Sequence, residues 1–314
     1  MDFGLSFPAG TLLHSRMTIA RALLSAIGSA FLLGASAAPG QGTLKVAWEF
    51  NKGVMAPESA YLDAGSGFLF VSQIGAGGGK AKDGDGWISQ LTPDGKVVKE
   101  KWFTGLHAPK GMRSFNGVLW VSDIDRLVGI RISSGTTFRV YNIEGAKFLN
   151  DVAAGPDGTI YVSDMATSTI HQLKGGKISV LDQGQHLDSP NGLLVVGTRL
   201  LIAGWGKNPN EAFEVTTPGR LLSFDLKTRK VTPITDTPEG NLDGLEQDGK
   251  GGYFVSDWVA GKIFHITDKG AVTPVMSLPK GTADLAYLPD KKLLILPRML
   301  EHKVTAYDFS EFKP

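Results

Sequence analysis

Ser189-Pro190-Asn191-Gly192 places one polar side chain behind a proline turn and ahead of the apolar run Leu193-Leu194-Val195-Val196. Five other segments share this build: Ala56-Pro57-Glu58-Ser59, Ala108-Pro109-Lys110-Gly111, Phe148-Leu149-Asn150-Asp151, Asn241-Leu242-Asp243-Gly244 and Thr282-Ala283-Asp284-Leu285. Their polar residues stand at 58, 110, 150, 191, 243 and 284, at intervals of 52, 40, 41, 52 and 41 residues. Self-similarity near 40 residues is the period of a β-propeller blade. Between these segments lie apolar, β-rich runs that end in a Ser-Asp-like corner, such as Leu119-Trp120-Val121-Ser122-Asp123, Ile160-Tyr161-Val162-Ser163-Asp164 and Tyr253-Phe254-Val255-Ser256-Asp257. Near-continuous apolar runs of this length read as strands packed on both faces.

Hairpin dipeptides punctuate the strands at Asp94-Gly95, Asp157-Gly158, Gly175-Gly176, Asp248-Gly249 and Lys269-Gly270. No helical period is sustained after residue 38. The pattern predicts an all-β, six-bladed β-propeller with four-stranded blades. From Thr282 onward the sixth blade supplies three strands. The run Leu44-Lys45-Val46-Ala47-Trp48-Glu49-Phe50 precedes the first repeat, so this N-terminal strand of the mature chain is expected to complete the sixth blade and close the ring. Closure removes open sheet edges, which otherwise aggregate.

Residues 1–38 read as an export signal, with the propeller domain spanning 39–314. Arg16 and Arg21 precede the largely apolar run 22–33, and Ala35-Ser36-Ala37 offers small residues for cleavage. Met17 is a candidate start. The apolar run is shorter than the ~20 residues of a spanning helix, so no membrane attachment is expected after cleavage. Cysteine is absent, which excludes disulfides and thiolate metal sites. Together these features predict a periplasmic or secreted protein.

Hydrophobic residues make up 42% and charged residues 20% of the chain, a balance that buries a core and excludes a disordered segment of this size. Asp2, Arg16 and Arg21 are the charges of residues 1–38, which leaves 30 basic and 30 acidic residues in the remaining chain. A neutral body lacks the basic face that nucleic-acid binding needs.

If the repeats close, Glu58, Lys110, Asn150, Asn191, Asp243 and Asp284 meet at one mouth of the channel. Two blades are longer than the rest, through insertions at 75–86 and 205–219. Both are placed between second and third strands, so both are expected to overhang that mouth, where specificity commonly resides.

Pro57-Glu58-Ser59, Asn150-Asp151, Asn191-Gly192-Leu193 and Asp243-Gly244, in this order, resemble the senescence-marker-protein/gluconolactonase family. The resemblance covers nearly all of the mature chain. It implies a six-bladed propeller that holds a divalent cation at its mouth and hydrolyses lactones or related esters. It also implies Glu58, Asn191 and Asp243 as direct metal ligands, Asn150 as completing the site directly or through water, and Asp243 as general base. Independently, carboxylate and amide oxygens are hard donors that favour Ca²⁺, or Mg²⁺ and Mn²⁺ with retained waters, over zinc. Such an ion would polarise a lactone carbonyl and stabilise the developing oxyanion.

Two residues depart from the family's pattern. Lys110 brings a positive charge to the ring, where it has three readings: a partner of Glu58 or Asp284, a catalytic group orienting a substrate carbonyl, or a replacement for the metal by charge balance. Phe148 stands where the family often has a substrate-binding arginine, so substrate preference does not transfer. Asp284 is expected to shape the field at the mouth. Trp205 and Trp258 are candidates for stacking surfaces or for lid packing, and Arg298 for an anionic substrate group or a salt bridge.

Asp123, Asp164 and Asp257 recur at the same corner, which assigns them to turns. His107 and His186 lie upstream of ring residues, while His171 and His265 fall in third strands as packing residues. The run 75–80 lacks the glycine, the Ser/Thr and the following helix of a phosphate loop. No Gly-x-Ser-x-Gly elbow is found. A small-molecule lactone or ester is the expected partner. The competing reading is a non-enzymatic propeller of the NHL type that binds a protein or a small ligand.

Overall fold

The computed structural model describes residues 44–313. The expected export segment, 1–38 with Met17 as candidate start, lies outside the described residues. Six four-stranded antiparallel sheets form the blades of a propeller. Their first strands are Pro57–Asp63, Pro109–Phe115, Leu149–Ala154, Pro190–Val196, Leu242–Gln247 and Ala286–Leu288. Successive first strands pack against one another around the channel, and the ring closes where Pro57–Asp63 meets Ala286–Leu288.

Closure is made twice. In the sixth blade, Lys45–Phe50 pairs antiparallel with Lys303–Asp308, so the N-terminal strand is the outermost of that sheet, as expected from the sequence. On the inside, the Asp284 N–H donates to Glu58 O at 2.9 Å and the Ala60 N–H to Asp284 O at 3.3 Å. The edge left by three strands is thereby covered.

The core is divided among the seams between blades. Phe70, Ile88, Met112 and Val121 fill the seam between the first and second blades. Leu69 and Ile295 belong to the seam between the sixth and the first. Second strands such as Leu293–Arg298 and Gly252–Asp257 are buried along almost their whole length, because each is sandwiched between two neighbouring blades. Outer strands such as Thr136–Asn142 face water. The hairpin glycines Gly95 and Gly158 adopt φ of 83° and 82°, the left-handed region their turns require. Helix among the described residues is limited to single 3₁₀ turns at Gln185–Leu187 and Met299–Glu301. None is long and apolar enough to cross a membrane.

A shared irregularity places the ring. In the first blade Pro57 faces Gln73, but three residues later Ala60 faces Val71, so the first strand carries one extra residue. The same bulge follows Pro109, Leu149, Pro190 and Leu242. A bulge re-aims a side chain without ending the strand. It does so here at Glu58, Lys110, Asn150, Asn191 and Asp243.

The serine of each Val-Ser-Asp corner holds the bulge and ties it to the next blade. Ser163 Oγ accepts the Asp151 N–H at 2.8 Å and donates to Asn191 O at 2.7 Å. Ser256 Oγ accepts the Gly244 N–H at 2.8 Å and donates to Ala283 O at 2.9 Å. Ser122 Oγ donates to Asn150 O. The seam is tight: a Cβ on Gly192 would stand 2.0 Å from Asp243 O. The corner aspartates hold turns as expected. Asp123 accepts the His107 and Ala108 N–H groups at 2.9 and 2.8 Å, and Asp164 those of Lys147 and Phe148 at 2.9 and 3.0 Å.

Candidate functional site

Five of the six ring residues meet. Glu58, Lys110, Asn150, Asn191 and Asp243 line one cavity of about 790 Å³ at the channel mouth. All five are buried, with Asn150 the most exposed at 6%. Polar groups this deep require partners, so those without one point to a ligand.

Asp284 is a correction to the expected mouth set, because it does not line the cavity. Its segment bridges in parallel to Ser59 rather than bulging, and its carboxylate accepts the Ser59 hydroxyl at 2.5 Å. Its N–H bonds to Glu58 O, and its charge acts on the mouth by raising the Glu58 carboxyl.

Asn191 shows how the donor set is built. Its Nδ2 donates to Leu242 O at 3.2 Å and to Asp243 Oδ1 at 2.9 Å. Two acceptors fix the amide's orientation, so Oδ1 is the atom left over. Asn191 Oδ1 and Glu58 Oε2 are both buried and without a hydrogen-bond partner among the described residues. Two orphaned acceptors on one cavity wall, beside Asn150 and the second oxygen of Asp243, make a hard all-oxygen donor set that fits a divalent cation. Among the described residues, no three His, Cys, Asp or Glu side chains form such a set alone. A donor set at this mouth would have to include the amide oxygens of Asn150 and Asn191.

The charge beneath the mouth favours the same ion. Burial, reinforced by Asp243 and Asp284, pushes the Glu58 carboxyl well above its usual range. Burial and Asp151 push Asp243 up to about 8, and burial together with Asp151 and Asp243 raises Asp284 well above normal. Asp151 itself is pushed up to about 6 by burial, although Arg113 opposes the shift and the Leu193 and Val152 N–H groups donate to it at 2.6 Å each. Deeper in the channel, Arg113 is already paired with Glu246 at 2.7 Å. Four buried carboxylates thus crowd one end of the channel with little counter-charge, and they must hold protons or a cation.

Asp151 is a site residue that the ring pattern does not single out in the sequence. Its signal was available there: the residue after each ring position is Ser59, Gly111, Asp151, Gly192, Gly244 or Leu285, and only one of these is charged.

Lys110 does not neutralise the ring by contact. Its ammonium donates to Ala108 O at 3.0 Å and to Gly79 O at 3.1 Å, and lies 4.4 Å from the centre of the Phe148 ring. No carboxylate of the described residues comes within 4.0 Å of it, as a salt bridge requires. Burial lowers its pKa to about 8 against the pull of Glu58 and Asp123. The ring's oxygen donors are thereby left free, and the third ammonium hydrogen has no acceptor among the described residues. Phe148, in the position of the family's arginine, is the surface on which this lysine rests.

Both insertions overhang the mouth, as the loop placement predicted. Gly77, Gly78, Gly79 and Lys80 from one, and Trp205, Phe213 and Val215 from the other, line the cavity. They meet where Lys80 Nζ donates to Glu211 O at 3.0 Å. Trp205 and Trp258 both stand on the wall with ring centres 6.2 Å apart, and Trp205 Nε1 donates to Phe213 O at 2.8 Å. Trp205 is therefore tied into the lid, while Trp258 remains partly exposed.

Of the two readings of Arg298, the salt bridge holds and the substrate contact is corrected. It is buried off the cavity wall, paired with Glu301 and donating to Tyr307 Oη at 3.1 Å. Following a corner in sequence does not bring it to the mouth, because the 3₁₀ turn Met299–Glu301 supplies a local carboxylate that captures it. His265 pairs with Asp248 at 2.8 Å and His186 with Asp182 at 3.2 Å, both away from the cavity.

The family model described as "SMP-30/Gluconolactonase/LRE-like region" matches residues 117–297, a span that includes Asn150, Asn191, Asp243 and Asp284. Curated protein sequences give no match. Among solved structures, the chain resembles a gluconolactonase from Xanthomonas campestris at 13% identity, covering 87% of this chain and 97% of that one with a TM-score of 0.64. It also resembles a catalytically inactive virginiamycin B lyase from Staphylococcus aureus with quinupristin, at 14% identity over 84% of this chain and 99% of that one, with a TM-score of 0.57. At such identities the likeness extends to the fold.

Proposed function

The chain belongs to the SMP-30/gluconolactonase/LRE-like family, and on that premise we propose that it hydrolyses small lactones or related esters at the mouth cavity. Glu58, Asn150, Asn191 and Asp243 would hold a divalent cation, with Ca²⁺ preferred by the all-oxygen set and Mg²⁺ or Mn²⁺ as alternatives. The observation that carries the reading is the pair of orphaned buried oxygens, Glu58 Oε2 and Asn191 Oδ1, on one cavity wall. When bound, the ion supplies Lewis-acid polarisation of the ester carbonyl.

The chain's own groups do the rest. Asp243, with one oxygen held by Asn191, takes a proton from water as its oxygen bonds to the carbonyl carbon. The carbon–oxygen ester bond then breaks, and the proton passes to the departing alkoxide, giving a single hydroxy acid from a lactone, or a carboxylic acid and an alcohol from an open-chain ester. The free hydrogen of Lys110 donates to a substrate oxygen. The apolar lid excludes competing water.

Metal analysis of the purified protein, followed by a lactone and ester panel with and without chelator, tests the reading. Stoichiometric calcium with chelator-sensitive turnover is expected. A metal-free protein inert toward the whole panel after calcium addition would reject it.

A further inference from the structure

The cavity above the ring has an unusual composition for a site that takes a polyol. Its wall is built from Ile74, Phe148, Met165, Trp205, Phe213 and Trp258, among others. Set into this apolar wall are three lysines, and each lies against a different aromatic ring of the same wall. Lys80 Nζ is 4.3 Å from the centre of Phe213, Lys110 Nζ 4.4 Å from Phe148, and Lys280 Nζ 5.3 Å from Trp258. They come from three separate places: the first insertion, the second blade's ring position and the turn after the fifth blade.

Charge arithmetic sharpens the point. The charged residues on the wall are Glu58, Asp243 and Glu214 against Lys80, Lys110 and Lys280. With Glu58 and Asp243 matched by a divalent ion, the wall alone keeps three positive charges against one negative charge; Asp151 and Asp284 lie off the wall, so the positive excess belongs to the rim lysines Lys80 and Lys280. Glu214 is engaged by Asn210 Nδ2 at 2.8 Å. Lysines laid on aromatic faces hold their ammonium groups at the edge of an apolar surface, where a carboxylate meets less competing water than in bulk. A bare sugar lactone would leave most of this wall in contact with hydroxyls. Lys80 and Lys110 already donate to backbone carbonyls, but an apolar molecule without charge would give the lysines no counter-charge.

On the premise that the mouth is the substrate site, we propose that its ligand is an amphipathic anion: a lactone or ester with an aromatic or aliphatic body and at least one carboxylate-like group. The body lies against Trp258, Phe148 and Phe213, and the anionic group is taken by Lys80 and Lys280 at the rim. Lys110, deeper and buried, faces the reacting end.

The test is binding rather than turnover. Tryptophan fluorescence of the full chain in calcium is titrated with 2-naphthoate and with its neutral isostere 2-naphthamide. Naphthoate is expected to bind about tenfold more tightly, the gain available from two partly desolvated charge contacts. In the double variant K80Q/K280Q, whose altered side chains are solvent-exposed, the preference should fall to about threefold or less with an unchanged melting temperature. In Trp258→Leu both probes should weaken. Equal binding of the two probes, failure of both to bind, or a preference that survives K80Q/K280Q overturns the proposal. A chain that hydrolyses nothing yet prefers naphthoate loses only its catalytic reading. One that hydrolyses neutral lactones without this preference loses only the substrate class.

Discussion

Asn191 donates its side-chain amide to Asp243 Oδ1 at 2.9 Å across the seam between the fourth and fifth blades. The bond joins residues 52 positions apart, and it decides which oxygens remain for a ligand. With its nitrogen committed, Asn191 can offer only its oxygen to the mouth, and Asp243 offers only its second oxygen.

Asn191→Ala should therefore weaken calcium binding by ~10–100-fold, the usual cost of losing a ligand or its orienting partner. Isothermal titration would measure it. Unchanged affinity in a folded variant would remove Asn191 from the donor set.

Asp243→Asn should lower turnover by ~10²-fold or more, because amide nitrogen cannot accept the water's proton. The same variant should melt higher than the parent when both are metal-free at pH 8. Burying the charged form of a carboxyl shifted to about 8 is costly, on the order of a few kcal/mol, and the amide escapes that cost. Circular dichroism melts in chelator provide the check; a lower melting temperature for the variant would contradict the crowded-carboxylate account.

The pH dependence of the metal-free protein has a definite sign. Asp243 and Asp151 keep their protons to about 8 and about 6 in the folded state, whereas an unfolded Asp loses its own near ~3.9. Between these values the native state binds more protons than the unfolded state, so stability must fall as pH rises. The slope reaches at most ~1.4 kcal/mol per pH unit for each such group. Urea midpoints measured in chelator at pH 5 and pH 8 should show the loss, and excess calcium should abolish it by displacing the protons. A midpoint that rises with pH in chelator would count against the raised carboxyls.

Ser163→Ala removes a hydroxyl that serves the Asp151 N–H and Asn191 O together. Leaving a buried donor and acceptor unpaired should cost ~1–3 kcal/mol and loosen the bulge that aims Asn150. Both a lower denaturation midpoint and weaker calcium binding are expected. Loss of stability with unaltered calcium affinity would confine Ser163 to a structural role.

Removing residues 44–50 should expose the edge of Lys303–Asp308, which Lys45–Phe50 covers. The shortened chain is expected to aggregate or to melt markedly lower. Size-exclusion chromatography distinguishes these outcomes from a monomer as stable as the parent, which would deny the strand its closing role.

Much of this architecture was legible in the sequence because it depends on local patterns. Pro57, Pro109 and Pro190 mark first strands through turn chemistry, and the apolar runs before Ser122, Ser163 and Ser256 mark second strands through periodicity. Glu58, Asn150, Asn191 and Asp243 could be grouped because equal spacing in a closed ring implies equal height along its axis. Asp284 broke the rule: the sixth blade's first strand begins only at Ala286, and Asp284 before it pairs with Ser59 of the first blade. Arg298 broke it through a carboxylate three residues away.

By itself, the amino-acid order determined the repeat, the strands, the closing segment and the oxygen-rich character of the mouth, since each follows from neighbours along the chain. Tertiary structure decided which oxygens remain unpaired, where Lys110 spends its hydrogen bonds, and how strongly Glu58, Asp151, Asp243 and Asp284 repel one another. Those outcomes depend on distances between atoms from separate blades inside a poorly solvated channel, where electrostatic energy is set by spatial separation and burial rather than by position in the chain.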